Sequence, residues 1–312
     1  RSWKMPNESP ESPTSAYYEA ANGDKKIAWQ DLRTDAGRAW LDAALASHDV
    51  VLENFKASDL ERFGLTPQDL AQRHPHLVHV RLVGFPSAPE RLAYDVVVQA
   101  ETGFMHMNGP AEAPPTRMPV ALMDILASQQ ILSAVYEGLL ERAAGHSGIF
   151  AEVSLEASGL SALANQATNW LINGADVTRN GSAHPNIAPY GDLLPCIDGW
   201  LVLAVGNDRQ FVGLCRVLEC AELTEDSRFQ TNAMRVRYRS ELIPLLSGKA
   251  NPWGKVALEV ALRASGVPAG VVRSLPEVFA PLTVGDQHTL TNSSGHKRVA
   301  TVAYHMTFLG KT

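Results

Sequence analysis

Asp124 is the residue of this chain best placed to act as a nucleophile. It ends the segment Thr-Arg-Met-Pro-Val-Ala-Leu-Met-Asp (116–124), after which apolar residues recur at three-to-four-residue steps, as in an amphipathic helix. The first turn of a helix offers unpaired N–H groups and a partial positive charge. We therefore expect this carboxylate to stay ionised even where water is excluded. The alternative is structural, because Asp is also among the preferred N-cap residues.

Two other groups of reactive side chains do not favour a metal site. The chain has three cysteines, and Cys215 with Cys220 makes a poor zinc half-site because no second half follows. The segment containing His74, His76 and His79 has no carboxylate or thiolate nearby in sequence. Imidazoles bind metals readily, but here we expect solvated or capping histidines and no bound metal.

Composition excludes several classes of function. The chain has 312 residues, 45% hydrophobic and 19% charged, with a formal net charge of −6. Such a length allows a sizeable core and suggests roughly two domains. The acidic balance argues against a nucleic-acid groove or a polybasic membrane surface, and no apolar run approaches the ~18 residues of a membrane span. Few, irregularly spaced cysteines indicate a reducing compartment, so we expect the cytoplasm, or the mitochondrial matrix in a eukaryote.

The first half of the chain alternates between predicted strands and helices. Strands are predicted at Ile27–Leu32, Asp49–Leu52 and Leu77–Val83, with helices between them that begin near Asp35, near Ser58 or Asp59, and at Pro67. This alternation predicts right-handed crossovers and a mostly parallel, doubly wound α/β sheet. Such sheets bind ligands beyond the carboxyl ends of their strands, where Glu53–Lys56 and Gly84–Pro86 lie.

The second half changes character near residue 190. Before that point we predict a helix from about Asp124 to Arg142, a strand at Ile149–Leu155 and a helix reaching Leu171. After it, an Asp-Gly turn at 198–199 predicts a hairpin within 194–205. Helices near 208–218, 231–247 and 253–265 and a β-like tract at 298–304 follow. We interpret 191–284 as a smaller α+β domain, and 1–190 with 285–312 as the large α/β domain.

Eight phrases of the sequence carry a family resemblance through their order and mutual spacing. They are DVVLENF (49–55), LERFG (60–64), YDVVVQAETG (94–103), the segment ending at Asp124, AHPNIAPY (183–190), GNDRQF (206–211), SRFQTN (227–232) and SGVPAG (265–270). Over roughly residues 15–282 the chain resembles the class III CoA-transferases, the family of formyl-CoA and carnitine CoA-transferases. The branch with dicarboxylic acyl donors, such as the succinate–hydroxymethylglutarate CoA-transferases, is most similar, because of NGSAHPNI (180–187) and Gly206-Asn-Asp.

The resemblance implies a mechanism through Asp124. In that family the matching aspartate attacks an acyl-CoA thioester to give an acyl-aspartyl anhydride and then an aspartyl-CoA thioester, and an acceptor acid reverses the sequence. Acyl-CoA and carboxylic acids would be the substrates, coenzyme A would enter as a thioester, and no permanently bound cofactor is needed. The resemblance also implies a Rossmann-like fold and a homodimer of interlocked, ring-like subunits.

The resemblance also supplies candidate CoA contacts. The matching positions are Asn22, Gly23, Asp24 and Lys25; Asn54, Phe55, Lys56 and Arg62; and Ala93, Tyr94 and Asp95. Phosphates call for such cations and for N–H donors. The family's first strand and opening loop, which also contact CoA, have no match from Arg1 onward. A catalytically silent acyl-CoA-binding subunit is therefore an alternative.

A second alternative is an α-methylacyl-CoA racemase or epimerase. The resemblance implies a His–Asp pair in that sister group, and the His position holds Tyr94 here, which favours transfer because tyrosine is a poor proton carrier at neutral pH. Tyr94 could instead be a core aromatic. We also hypothesise that Arg117 or His184 binds the second carboxylate of the substrate. The alternatives are an interdomain ion pair for Arg117 and a capping role for His184.

Overall fold

The computed structural model describes residues 2–281, 288–291, 295–304 and 306–307. The chain divides into two compact units, a central unit of residues 31–272 and a terminal unit of residues 1–30 with 273–312. The domain boundary near residue 190 stays a prediction. Two apolar clusters lie N-terminal to it, between Leu45 and Leu155, and a third lies C-terminal to it, between Leu194 and Val267.

The described residues form the following elements. The helices are α1 (Ala16–Asn22), α2 (Asp35–Ser47), α3 (Ala57–Phe63), α4 (Pro67–Arg73), α5 (Asp95–Glu101), α6 (Phe104–Met107), α7 (Leu122–Ala143), α8 (Leu155–Ala162), α9 (Ala164–Asn173), α10 (Asp208–Val217), α11 (Asn232–Arg237), α12 (Arg239–Ala250), α13 (Lys255–Ala264) and α14 (Leu275–Phe279), with a 3₁₀ turn at Ala221–Thr224. The strands are β1 (Val50–Glu53), β2 (Val78–Val83), β3 (Ile149–Ser154), β4 (Tyr190–Cys196), β5 (Gly199–Ala204), β6 (Ala269–Val271), β7 (Thr289–Thr291) and β8 (Lys297–Val299).

A parallel sheet of order β1-β2-β3 lies in the N-terminal half of the central unit. Val50 pairs with Val78 and Val78 with Ile149, so the predicted strands near 50, 80 and 150 are confirmed. The prediction of a strand at Ile27–Leu32 is wrong, because that segment has no strand conformation and leaves Ile27 and Trp29 exposed. An alternating pattern makes a strand only where a neighbour satisfies its backbone groups.

Helix α7 packs directly on the parallel sheet. Its apolar positions predicted the helix, and the observed bounds extend the prediction by two residues at the start. Gly138 lies against Val78 of β2, and a Cβ at residue 138 would stand 2.5 Å from Val78 Cγ1. The absence of a side chain there lets the helix approach the strand closely. At the C-terminal end, Arg142 Nη1 donates to Asp49 Oδ1 at 3.0 Å and to the carbonyl of His76 at 3.0 Å.

The C-terminal half of the central unit has its own antiparallel sheet of order β4-β5-β6. Cys196 pairs with Gly199, which confirms the predicted hairpin. Arg235 is fully buried beside this core: Nε donates to the carbonyl of Ala188 at 2.9 Å, Nη2 donates to Asp208 Oδ1 at 2.6 Å, and the guanidinium stacks on Phe211. Hydrogen bonding to these acceptors makes the buried charge tolerable.

The terminal unit contains α1, α14 and the β7–β8 hairpin. The β-like tract predicted at 298–304 is a strand only through Val299, and residues 300–304 are irregular. Neither α1 nor any other helix in the described ranges is long and apolar enough to cross a membrane.

We predict that Gly138→Ala destabilises the protein by about 1–3 kcal/mol, because overpacking against the stiff Val78 side chain outweighs the better helix propensity of alanine. Equilibrium urea unfolding measures the effect. The matched control is Gly248→Ala in α12, where a Cβ meets nothing within 4 Å. That control should stabilise by up to about 1 kcal/mol. Equal effects of the two substitutions would contradict this account of the α7 contact.

Candidate active site

Asp124 is the third residue of α7 and does not cap the helix. The N-cap position is Ala121, which has no side-chain capping bond. The alternative of Asp124 as an N-cap residue is therefore wrong. No hydrogen bond or ion pair of its carboxylate is found within the described ranges of the chain. The side chain is exposed.

The N-terminus of α7 is capped from another helix. Asp95, the first residue of α5, accepts a hydrogen bond from the backbone N–H of Met123 at 2.7 Å through Oδ1. Its Oδ2 accepts from Gln99 Nε2 at 2.6 Å. Gln99 is fully buried, and its Oε1 accepts from the backbone N–H of Met118 at 2.8 Å. These bonds connect α5 to the segment that leads into Asp124.

The electrostatic surroundings raise the pKa of Asp124. Although the side chain is exposed by surface area, protein atoms around the start of α7 remove part of its hydration, and this desolvation is the larger cause. The negative charge of Asp95 is the second cause. Both act against the helix terminus, which favours the anion. The ionised state of Asp124 therefore stays a prediction, and its local environment favours the proton more than expected.

A cavity of about 210 Å³ lies at the carboxyl ends of β1 and β2. It brings together Asn54, Phe55 and Lys56 with Ala93, four residues that sequence reasoning proposed separately. Glycine makes this meeting possible, because a Cβ on Gly84 would stand 2.0 Å from the Ala93 Cβ. The loop before α5 therefore lies directly on the end of β2.

Two arginines at this cavity were not singled out from the sequence. Arg81 lines it from β2, and Arg91 lines it from the loop before α5. Arg91 Nη1 donates to Glu101 Oε2 at 2.8 Å, and its guanidinium stacks on Phe85. The sequence could have pointed to Arg81 as a cavity residue, because it lies near the carboxyl end of a predicted parallel strand. Arg91 had no comparable signal, because its place depends on how the loop folds back.

Three further proposed residues have different surroundings. Tyr94 is the N-cap residue of α5 and is 62% exposed, so the alternative of a core aromatic is wrong. Asp95 uses both carboxylate oxygens within the protein, as described above. Arg62, in the last turn of α3, lines a separate cavity of about 380 Å³ with Asp42 and Arg73. The described geometry does not place Arg62 at the cavity of Lys56.

The remaining CoA candidates, Asn22 to Lys25, belong to the terminal unit. Asn22 ends α1 and its side chain donates to the carbonyl of Tyr18 at 3.2 Å. Gly23 is the C-cap residue, and Asp24 accepts a hydrogen bond from Arg298. The four residues lie together in one turn of chain, and their role in binding stays a prediction.

Arg117 and His184 have local backbone partners. Arg117 is exposed and its Nη1 donates to the carbonyl of Met118 at 2.9 Å. His184 Nδ1 accepts from the backbone N–H of Asn186 at 3.1 Å, and its ring packs edge-on against Tyr190. The His184 contact is a turn-stabilising one. No ion pair of Arg117 is found in the ranges that the structure covers.

The expectation of solvated or capping histidines is confirmed for His74, the C-cap residue of α4, and for the exposed His76, and it is wrong for His79. His74 is buried and its Nε2 lies 2.8 Å from Asp42 Oδ1. His79 is buried with its Nε2 3.4 Å from Glu53 Oε1. Both carboxylates come from distant sequence positions, so the sequence did not reveal them. No cluster of three or more His, Cys, Asp or Glu suited to a metal occurs in the described ranges.

Comparison with known proteins accounts for this arrangement. Residues 1–311 match the pattern of CoA-transferase family III. The chain belongs to CoA-transferase family III. This confirms the resemblance drawn from the sequence and makes the chain a member of an enzyme family whose substrates are CoA thioesters and carboxylates.

Comparison with individual relatives gives the sequence identity and the share of each protein that the two have in common. It is 36% identical over 273 residues to a succinate–glutarate CoA-transferase of Agrobacterium fabrum, covering 86% of this chain and 68% of that protein. It is 31% identical to the human succinyl-CoA:glutarate CoA-transferase, covering 90% and 64% respectively. A CAIB/BAIF family protein from Brucella suis has a similar fold, with a TM-score of 0.81, 33% identity, and coverage of 97% and 82%. The chain thus spans about two thirds of the length of these curated relatives.

We predict that Asp95→Asn lowers the pKa of Asp124, because the substitution removes the repulsive charge and leaves the desolvation unchanged. Titration of the Asp124 carboxyl carbon by NMR measures it. The control Glu137→Gln removes one charge from the exposed side of α7, thirteen residues or about 20 Å along the helix, where salt screens it. A pKa of Asp124 that is unchanged or higher in Asp95→Asn would contradict the assigned cause.

Proposed function

We propose that this protein transfers coenzyme A between carboxylic acids, with Asp124 as the nucleophile. The observation that carries the proposal is the state of its carboxylate: exposed, without a hydrogen-bond partner among the residues that the structure describes, and in the first turn of a helix that another residue caps. Among the described residues this carboxylate makes no contact that stabilises the fold, so it is free to meet a substrate. Membership of CoA-transferase family III supports the reaction type.

The proposed reaction proceeds in two symmetric halves. A carboxylate oxygen of Asp124 bonds to the thioester carbon, the C–S bond breaks, and CoA leaves as thiolate from an acyl-aspartyl anhydride. The thiolate then bonds to the Asp124 carbonyl carbon, and the first acid leaves with one oxygen from Asp124. The acceptor carboxylate repeats both steps in reverse, which regenerates Asp124 and gives the new acyl-CoA. Positioning can supply up to roughly 7–11 kcal/mol of such a barrier.

The raised pKa of Asp124 bears on this role in two ways. The carboxylate must be ionised to attack, so activity should fall as pH falls through a pKa that is above the ordinary aspartate value. A partly desolvated carboxylate also loses less hydration on reaching the thioester carbon. The environment of Asp124 therefore lowers the fraction of molecules in which it is ionised and makes the ionised carboxylate more reactive.

The cavity at the ends of β1 and β2 is our candidate for the CoA phosphates. Lys56 and Arg91 supply cationic donors there, beside Asn54, Phe55 and Ala93. We include Asn22, Gly23, Asp24, Lys25, Arg62, Tyr94 and Asp95 as further CoA contacts on the family resemblance. Arg117 and His184 remain candidates for the second carboxylate of the substrate.

The acyl donor is proposed from the relatives. Several are named as CoA-transferases of succinate or succinyl-CoA with glutarate, and we infer a dicarboxylic acyl donor such as succinyl-CoA here. We further propose a doubly wound large domain with a smaller α+β domain, an interlocked homodimer, and a reducing compartment such as the cytoplasm.

We predict that Asp124→Asn lowers CoA exchange between succinyl-CoA and glutarate about a thousandfold or more, because the amide cannot form the anhydride. Mass spectrometry of the CoA pool, with a panel of other acids, measures the exchange. Glu137→Gln, on the exposed side of the same helix, is the charge-matched control and should retain activity.

Three outcomes would contradict the proposal in different ways. Exchange that persists in Asp124→Asn would remove the nucleophile. Deuterium uptake at the α-carbon without exchange would indicate a racemase. Binding of acyl-CoA with neither reaction would indicate a catalytically silent subunit.

A further inference from the structure

The strongest unassigned feature near Asp124 is a buried amide, Gln99. It lies on α5 with no exposed surface. Its neighbours Val98 and Met123 belong to an apolar core cluster, so a polar side chain stands out at this position. A fully buried polar side chain is costly unless all its groups are bonded, so its partners indicate its role.

Every hydrogen-bonding group of the Gln99 amide has a partner. Oε1 accepts from the Met118 backbone N–H at 2.8 Å. Nε2 donates to Asp95 Oδ2 at 2.6 Å and to the carbonyl of Val120 at 3.3 Å. The Gln99 side chain therefore bonds one backbone N–H and one backbone carbonyl of the segment that enters α7. It also orients the Asp95 carboxylate that caps the helix.

The direction of these bonds makes a neutral amide necessary. Asp95 is an acceptor only, and its Oδ1 is used by the Met123 N–H. The group that faces Oδ2 must donate, whereas the group that faces the Met118 N–H must accept. A glutamine amide does both, but a carboxylate can do only the second and an apolar side chain neither.

We propose that Gln99 is a positioning residue for Asp124: it holds the 118–120 segment and the Asp95 cap in one arrangement, and so fixes where the nucleophile stands relative to the thioester. This inference rests on the proposed function of Asp124. Gln99 does not touch the reacting atoms, because it is buried behind the start of α7. Its loss should lower kcat more than it changes KM, since the cavity proposed for the CoA phosphates is lined by other residues.

The test uses an isosteric substitution with a pH signature. Gln99→Glu places a carboxyl against Asp95 in a fully buried position, so burial and the neighbouring charge favour its protonated form. When protonated, the introduced carboxyl donates to Asp95 Oδ2 and accepts from Met118, which keeps two of the three bonds of the amide and loses the long one to the Val120 carbonyl. When ionised, it repels Asp95 and cannot donate. Function and fold should thus be nearest to those of the original protein at low pH and should decline as pH rises.

Charged groups lie on α5 itself and on the elements packed against it. Asp95 and Glu101 lie on α5, where Glu101 pairs with Arg91. Arg117 precedes the bonded Met118, and Asp124 lies at the start of α7. From the other helices packed on α5, His106 of α6 lies 3.9 Å from Asp176, and Glu156 of α8 acts on Arg91. Asp95 is the charged group in direct contact with the Gln99 amide, so it is the charge that the introduced carboxyl meets first.

We expect kcat of Gln99→Glu, divided by kcat of the original protein at the same pH, to be lower by up to about 100-fold at high pH, as for a misplacement of about 1 Å, and to approach one as pH falls. Gln99→Met, a neutral residue of similar size, should lose activity at every pH. Gln130→Glu adds the same charge on an exposed face of α7 and should behave as the original protein. Equal pH profiles for Gln99→Glu and Gln130→Glu would overturn the inference.

A second readout separates this inference from the proposed function. Hydrogen–deuterium exchange of residues 117–124, compared with the original protein at each pH, should be faster in Gln99→Met and, at high pH only, in Gln99→Glu. This result would support the positioning role even if the original protein transferred no CoA. Unchanged protection in both variants would overturn it. If either variant fails to fold, the test uses the original protein alone. Its Met118 and Met123 amides should exchange slowly, because Gln99 and Asp95 accept hydrogen bonds from them. Fast exchange of these two amides would contradict the proposed positioning role.

Discussion

The hydrogen bond from the Met123 N–H to the Asp95 carboxylate is the contact on which the candidate site depends. Helix α7 begins at a residue that offers no cap, so its first N–H groups need acceptors from elsewhere in the chain. Asp95 supplies one from α5, and Gln99 holds Asp95 and the entering segment together. The opposite end of α7 is fixed by Arg142. The helix is therefore held at both ends, and Asp124 occupies a defined place in its first turn.

Capping by a remote residue has a chemical consequence. An aspartate that caps its own helix uses its oxygens on backbone N–H groups and is not free to react. Here Asp95 performs that structural task, and within the described part of the chain neither oxygen of the Asp124 carboxylate has a hydrogen-bond partner. The same arrangement places two negative charges near each other, which raises the pKa of Asp124 together with desolvation. Position thus separates a structural carboxylate, Asp95, from the one that we propose as the nucleophile, Asp124.

Local patterns predicted much of the fold. The periodic apolar residues of α7, the β-branched runs of β1 and β2 and the Asp-Gly turn of the β4–β5 hairpin each specify their element within a few residues. The Ile27–Leu32 segment shows the limit, because alternation cannot tell whether a partner strand is present. The candidate site was likewise predictable only where its residues follow a local pattern. Asn54 and Lys56 follow a strand end, whereas Arg91 and the Met118 and Val120 partners of Gln99 depend on how loops return from other parts of the sequence. His74 and His79 seemed free of carboxylates for that reason as well.

The central claim is that an oxygen of Asp124 is exchanged for an oxygen of the substrate in each cycle. The most direct measurement is the isotopic content of Asp124 after turnover with succinyl-CoA and glutarate labelled with ¹⁸O in its carboxylates. The proposed chemistry passes one oxygen of the acceptor acid to the aspartate, so the peptide that contains residue 124 should gain ¹⁸O. If CoA is transferred through many cycles and that peptide remains unlabelled, the acyl group never bonds to Asp124 and the account is contradicted.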